Sequence, residues 1–536
     1  MSYQRDLPPR RETVRRETNW PRIIAGSVIA LVAMGVRLGL AGGFPHLHFW
    51  GLSAPFTPSE AAAFLDRAEK AEAIADPLQR CLAFPDPPGS HWSRRTVDAY
   101  CRYSTQPVIT TAEIVRLVDG NQAAELDRRM ADALHAQRTN PAALGRLDQT
   151  FFVDFKDSTA ALRPTLDAWK QQSPNSAFAW AASGVAYVAQ ARAARGTGLI
   201  RNTPASAIEA MQGMIALARP DLEKAERLDP QITPVYAAMI ETGILDGDGR
   251  YARAAIARGL RIDPANYWIH SRAIWLSRPV WGGSRREVRE AVAKAQVHAR
   301  SNPLLELFLP EDDAVEYRID CACTSKSEIG AFRKVFDRIG AAKLFGNAGR
   351  TAESDDQSST AVVYLSEAIR FDPTLVDEHM SLVDTLTDLH RNGLAKAEAD
   401  RFVALEPDNK FSYEARSYYE RSTGHLVDAE NDVLAALKLA PDDAWALDEL
   451  GDDYVHRSRQ FDKGWDVADR LIKAHPDDPN GWLLRASIQK DQPRPGLHDT
   501  LVYFLAHFGD DPAVQELVPR MRAELAKEER QAKARG

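Results

Sequence analysis

The run Leu447-Asp448-Glu449-Leu450-Gly451-Asp452-Asp453-Tyr454, followed by a second helical stretch closed by Ala474-His475-Pro476-Asp477-Asp478, decides the fold. It sets a bulky apolar residue, then Leu450 beside the small Gly451, then Tyr454 at helical spacing. The closing phrase recurs upstream as Phe371-Asp372-Pro373, Leu405-Glu406-Pro407-Asp408 and Leu439-Ala440-Pro441-Asp442-Asp443, so successive prolines stand 34, 34 and 35 residues apart. A fixed period in that range marks stacked helical hairpins, none of which can bury its apolar face without its neighbours. The predicted fold is an all-α solenoid of helical hairpins.

A chain of 536 residues is longer than one hydrophobic core usually supports, and a repeat array accommodates that length. The absence of low-complexity tracts sets intrinsic disorder aside for its body. The formal charge of −8 is unevenly spread: seven arginines against three acids leave residues 1–43 at +4, so residues 44–536 carry −12. An acidic body repels phosphate backbones, which argues against nucleic acid and for a protein or peptide partner of basic or neutral character.

Ile23 to Gly43 supplies 21 residues with Arg37 as the single charge, enough at about 1.5 Å per residue to reach the roughly 30 Å of a bilayer core. Arg37 is off-centre and can snorkel outward. Six arginines precede the span and no Lys or Arg follows until Arg67, so the positive-inside rule predicts a cytoplasmic basic tail (1–22), a single-pass signal-anchor helix (23–43) and a translocated body. Trp20 on one side and Phe44, Phe49 and Trp50 on the other suit the two interfaces. A cleaved signal peptide is the competing reading; the long basic lead and the lack of a clean small-x-small site favour the anchor. Gly35, Gly39 and Gly43 recur every fourth residue and mark a candidate homodimer face, although membrane helices are Gly-rich in any case. His46 and His48 lack a third nearby ligand, so no metal site is expected.

Four cysteines allow three pairings. In an oxidising compartment the expected disulfide joins Cys81 to Cys101 around a loop holding Pro85, Pro87, Pro88 and Gly89. Cys321 and Cys323 stay open between a strained bridge, free thiols and a redox role. Beyond the Pro-rich region 44–109, composition divides the chain into an irregular helical domain over 110–305, a connector over 306–341, a cleaner array over 342–512 and a charged C-terminal capping helix over 513–536.

In the upstream domain Trp180, Gly184 and Tyr187 repeat the alternation of knob, small contact and knob. The partner helix, with Ala218 and Ala225, arrives about twenty residues late, which predicts an insertion that includes Ala193-Ala194-Arg195-Gly196-Thr197-Gly198. Tyr236, Gly247, Ala252, Gly259 and Pro264 make a regular unit; Trp268, Trp275 and Pro279-Val280-Trp281-Gly282-Gly283-Ser284 make an irregular one. Through Leu450-Gly451-x-x-Tyr454 with Pro476, Trp180-x-x-x-Gly184-x-x-Tyr187 and the proline series, residues 174–305 and 342–512 resemble tetratricopeptide repeats, with departures such as Arg416 where Leu is usual. The resemblance implies a right-handed superhelix. Residues 110–300 separately resemble a bacterial domain-of-unknown-function family, through Ala191-Arg192-Ala193-Ala194-Arg195-Gly196 and Pro279-x-Trp281-Gly282-Gly283-Ser284. That resemblance implies a bacterial source and, with the anchor, an inner-membrane protein with a periplasmic body; it carries no known activity.

No catalytic motif stands out: there is no phosphate-cradling Gly loop, no Gly-x-Ser-x-Gly elbow, no His-Glu-x-x-His and no Cys-x-x-Cys. Ser284 reads as a helix N-cap before Arg285 rather than as a nucleophile. No enzyme activity and no cofactor is expected. The tetratricopeptide resemblance does imply a groove lined by the first helix of each hairpin, and the family's groove-facing positions fall on Asp377, Asp384, Asp388, Glu414, Tyr418, Arg421, Trp445, Asp448 and Asp452. Acids interleaved with Tyr418 and Trp445 suit an extended peptide with basic side chains and an apolar anchor; the plainer reading is an acidic face that keeps the array soluble. The expected function is a membrane-anchored, periplasm-facing scaffold. Its rival is an envelope enzyme, or a toxin-neutralising inhibitor, that uses the upstream domain.

The charge asymmetry around residues 23–43 sets a first expectation. A reporter active only in the periplasm, fused after Gly536, is expected to be active; activity of a cytoplasm-only reporter at the same place reverses the orientation.

Overall fold

Tracing the hairpin of residues 410–439 shows how this sequence builds its unit. Asn409 accepts from the Phe411 N–H and starts helix Lys410–Ser422; Gly424, at φ +86°, turns the chain; helix Leu426–Leu439 then buries Ala429, Val433 and Ala436. It stops at Ala440 because the residue before Pro441 is driven out of the helical region. The two helices cross closely enough for Ser417 Oγ to donate to the Ala429 carbonyl at 3.0 Å. Arg416, at the position where Leu is usual, makes a bidentate pair with Asp432 of the facing helix, at 2.7 and 2.8 Å. An ion pair here replaces an apolar knob.

The computed structural model describes residues 56–155, 160–196, 203–319, 329–492 and 494–535. The expected span 23–43 with its basic lead, the Gly35, Gly39 and Gly43 face, His46, His48, Cys321 and Cys323 lie outside them. No helix among the described residues is long and apolar enough to cross a membrane, and none of these residues forms a strand.

Five hairpins make the downstream array: Ala342–Ser354 with Ser358–Phe371, Val376–Asp388 with Asn392–Leu405, Lys410–Ser422 with Leu426–Leu439, Ala444–Asp452 with Phe461–Ala474, and Asn480–Asp491 with Leu497–Phe508. At Gly451 a Cβ would stand 2.4 Å from Leu484 Cδ1, so a larger residue there would make the Leu484 side chain of the next hairpin move. Helix Val518–Arg535 closes the array by laying Met521 and Leu525 on Leu497 and Leu501, the polar-outside cap a solenoid end requires.

The upstream array pairs Ala177–Arg195 with Ala205–Leu228, and Thr233–Leu245 with Gly249–Ile262. The insertion expected between the first two is largely helix. They run 19 and 24 residues, against 13 and 14 in the regular pair, because the Ala-rich extra sequence continues helical turns on both sides of the connection. In the Pro279 to Ser284 loop, Gly282 takes φ +83°, and a Cβ on Gly283 would stand 2.1 Å from the Ser277 carbonyl oxygen. Ser284 then caps helix Arg285–Gln296: its Oγ accepts from the Glu287 N–H and donates to the Glu287 carboxylate.

The two arrays meet over the N-terminal helices Pro58–Glu72, Pro77–Ala83 and Arg94–Thr105. Tyr100 stacks on Phe371 with centroids 4.3 Å apart, and its hydroxyl accepts from the Ala342 N–H; Trp92 packs on Phe345 and donates to the Phe336 carbonyl. Trp268 of the upstream array donates to Tyr103. Residues 306–341, expected as a connector, put Leu307, Ile319, Phe332 and Phe336 into the same core, and the Pro-rich region adds Phe64, Phe84 and Trp92. Cys81 and Cys101 are disulfide-bonded, tying the second N-terminal helix to the third.

That bridge closes a loop of 20 residues within the segment that joins the arrays. Replacing both cysteines by Ser is expected to lower unfolding stability by ~3 kcal/mol on the chain-entropy account, read as the shift in urea midpoint of the oxidised protein. An unchanged midpoint contradicts it.

Candidate functional site

The first helices of the downstream hairpins share one face. Asp377, Asp384 and Asp388 lie on Val376–Asp388; Glu414, Tyr418 and Arg421 on Lys410–Ser422; Trp445, Asp448 and Asp452 on Ala444–Asp452. Within each helix they recur at intervals of three, four or seven residues, and so point the same way. Asp443 starts the third of these helices by accepting from the Ala446 N–H at 2.9 Å.

Most acids on this face are already engaged by the chain itself. Arg350 of the preceding hairpin reaches Asp377 at 3.2 Å. Lys410 bridges Glu414, which is 4% exposed, at 2.7 Å and Asp443 at 2.5 Å. Arg421 holds Glu449 at 2.8 Å together with the buried Asp453, and Asn480 donates to Asp448 at 3.1 Å. Except for the Lys410 to Glu414 contact, each rung joins one repeat to the next, so these side chains stitch hairpins together. Asp384 is half-buried. Asp388 and Asp452 are exposed: the first accepts from the Tyr418 hydroxyl at 2.9 Å, and the second pairs with His456 at 2.7 Å. The hydrogen bond in the latter pair holds the Asp452 carboxyl below its ordinary value and His456 above its own. Tyr418 and Trp445 are half-buried.

Sequence reasoning missed Asp453, Arg457 and Glu449. The end of the Ala444–Asp452 helix widens into a π-helical turn over Asp453–Arg457, which carries Asp453 inward to meet both Arg421 and Arg457. A period of 3.6 residues does not foretell such a turn, and the only signal was the doubled acid Asp452-Asp453. Among the described residues no group of three or more His, Cys, Asp or Glu side chains is placed to hold a metal.

A second site lies upstream, at a cavity of about 280 Å³ beside Asp148. Asp148 is 1% exposed and accepts from Gln137 Nε2, Asn266 Nδ2 and Thr233 Oγ1 at 2.8, 2.8 and 2.6 Å. None of these donors carries a charge. Burial therefore prevails over three hydrogen bonds that favour the ionised form, and pushes the carboxyl up to about 7.

The chain matches no family model. Over 112 residues it is 25% identical to the UDP-N-acetylglucosamine–peptide N-acetylglucosaminyltransferase of Giardia intestinalis, a match covering 21% of this chain and 7% of that protein's length. Among solved structures it is similar to the P58(IPK) TPR domain, at 13% identity and TM-score 0.20, covering 59% of this chain and 95% of that one. It is also similar to the APC/C hetero-tetramer Cut9–Hcn1, at 13% identity and TM-score 0.32, covering 86% of this chain and 88% of that chain.

Asp148 makes stability depend on pH. Its folded pKa lies above the ordinary ~3.9, so between these values the folded state keeps a proton that the unfolded state has lost, and stability falls as pH rises from roughly 4 to 7. Urea midpoints across that window are expected to decline in the wild type and to decline less in Asp148→Asn, whose amide can turn Nδ2 toward Thr233 Oγ1. Identical slopes in the two proteins refute the assignment.

Proposed function

We propose that this protein is a membrane-anchored repeat scaffold, without catalysis of its own, whose downstream array binds an extended segment of a partner protein along the shared face of its first helices. The observation that carries the reading is the division of labour on that face. Inter-repeat rungs occupy most of the charges, among them the bond from the Tyr418 hydroxyl to Asp388 of the preceding hairpin, while the rings of Tyr418 and Trp445 stand half-buried on helices that share this face with the exposed Asp452. A stacked array is held in place before the partner arrives, which lowers the ordering cost of binding an extended chain. The chemistry fits a peptide that offers one apolar or aromatic side chain to the Tyr418 and Trp445 patch and a basic side chain to Asp388 or Asp452.

The chain's N-terminal charge pattern supports the inner membrane as the location and the periplasm as the side on which this face operates. The enzyme reading centred on the Trp281 to Ser284 loop has less support: both roles of Ser284 Oγ are taken by Glu287, and Gly282 and Gly283 serve the turn.

Crosslinking the intact protein in its own envelope and comparing captured partners tests this. Trp445→Ala or Tyr418→Ala is expected to weaken capture by ~2 kcal/mol if either is a hot spot, while reversing Asp388 and Asp452 to Lys reduces it further. A partner list unaltered by all of these changes overturns the proposal, as does lost cellular function on Ser284→Ala with partner capture intact.

A further inference from the structure

Where the N-terminal helices lie against the second and first helices of the downstream hairpins, they enclose a cavity of about 130 Å³. That is the scale of an interior space that accepts a single benzene-sized molecule. Leu65 and Phe84 from the N-terminal segment and Leu382 and Leu386 from helix Val376–Asp388 give it apolar walls. Three guanidiniums, those of Arg80, Arg370 and Arg401, also line it, beside the carboxylates of Glu72 and Glu398.

The three are unequally engaged. Arg401 is held by Glu72 and, at 3.1 Å, by Glu398, which also serves the buried His379. Arg370 is 1% exposed; it spends Nε on the Cys81 carbonyl and Nη1 on Asp86 and Glu367, and its buried Nη2 has no hydrogen-bond partner among the described residues. Arg80 has one ion-pair neighbour among the described residues, Glu72, at 3.8 Å, and Glu72 is already taken by Arg401. Burial, against the pull of Arg370, lifts Glu367 to about 8, so this carboxyl brings no full charge to the cluster at neutral pH. The apolar space therefore has guanidinium donors to spare at its edge, those of the loosely paired Arg80 and the Nη2 of Arg370, even with Glu72 and Glu398 in its lining.

We infer that this cavity is a binding site for a small carboxylic acid with an apolar body, whose body lies against Leu65, Phe84, Leu382 and Leu386 and whose carboxylate is received by Arg80, with Arg370 behind it. The planar fork of a guanidinium matches a carboxylate with paired N–H donors, which a neutral head group cannot exploit. The apolar walls in turn favour an acid larger than acetate, since each buried methylene adds to affinity. Because Leu65 and Arg80 come from the N-terminal segment and Leu382, Leu386 and Arg370 from the array, the ligand bridges the two and holds them together.

Calorimetric titration of the full chain with hexanoate and with benzoate tests the inference, using hexan-1-ol and benzyl alcohol as matched ligands without the charge. Expected is saturable one-to-one binding of at least one acid, about tenfold or more tighter than its alcohol and weakened by a similar factor in Arg80→Ala. The Arg80 side chain is 28% exposed, so its removal leaves the fold in place; circular dichroism of the variant checks this. The inference is overturned if neither acid binds saturably up to roughly 10 mM, if acid and alcohol bind alike, or if the folded Arg80→Ala variant binds as the wild type does.

Discussion

A guanidinium removed from water is costly unless its donors are taken and its charge is answered, and Arg370 meets most of that demand with partners from two distant parts of the chain, only its Nη2 lacking a hydrogen-bond partner among the described residues. Its own repeat supplies Glu367 at 3.1 Å and the face of Phe371, 4.7 Å from the ring centre. The N-terminal segment supplies the rest: the Cys81 carbonyl at 3.0 Å, Asp86 at 3.0 Å and the ring of Phe84 at 5.6 Å. The Nε of Arg370 and its pairing with Asp86 thus depend on that segment being docked. Docking also brings Tyr100 onto Phe371 and Trp92 onto Phe345, and closes the core that the segment shares with the downstream array.

This junction obeys different physics from the repeats around it. Hairpins contact their sequence neighbours, so each can form once the one beside it has formed. The junction joins residues as far apart as Cys81 and Arg370, 289 positions, and Tyr100 and Ala342, 242 positions, at a greater cost in loop closure. The Cys81 to Cys101 bond acts on that cost, because it limits the freedom of the segment that must find both arrays.

The downstream face shows why a count of acidic residues misjudges a binding surface. An acid on the first helix of one hairpin lies within reach of the first helix of the hairpin before or after it, so an opposite charge or an amide there becomes its partner. Arg350 with Asp377, Arg421 with Glu449 and Asn480 with Asp448 are all of this kind. Such partly exposed pairs add modestly to stability, and they fix the register between hairpins. Even the exposed acids are engaged, Asp388 by the Tyr418 hydroxyl and Asp452 by His456, so the face is a set of paired groups in place of a continuous acidic strip.

Local periodicity made the hairpins legible. The prolines after Phe371, Leu405, Leu439 and Ala474 end second helices, the small residue Gly451 marks a close approach of helices, and Ser284 announces its cap through Glu287, all within a few residues of the cause. The positions of the groove residues could be read for the same reason, since helical phase is a local property. Their partners could not, because pairing across hairpins depends on the superposition of repeats and, at Asp453, on a π turn that shifts the phase. Least legible were residues 56–105 and 303–341, which look like a Pro-rich lead and a connector although Ala61, Phe64, Leu65, Ala68 and Ala71 recur at helical spacing, because prolines interrupt the helices and no 34-residue repeat frames them. Trp92, Tyr100, Leu307 and Phe336 are buried by elements hundreds of positions away. The sequence by itself determined the kind of unit; the tertiary structure alone decided that the N-terminal segment and residues 304–342 share one core with the downstream array while the upstream array keeps its own, because only packing brings together groups whose burial no local pattern records.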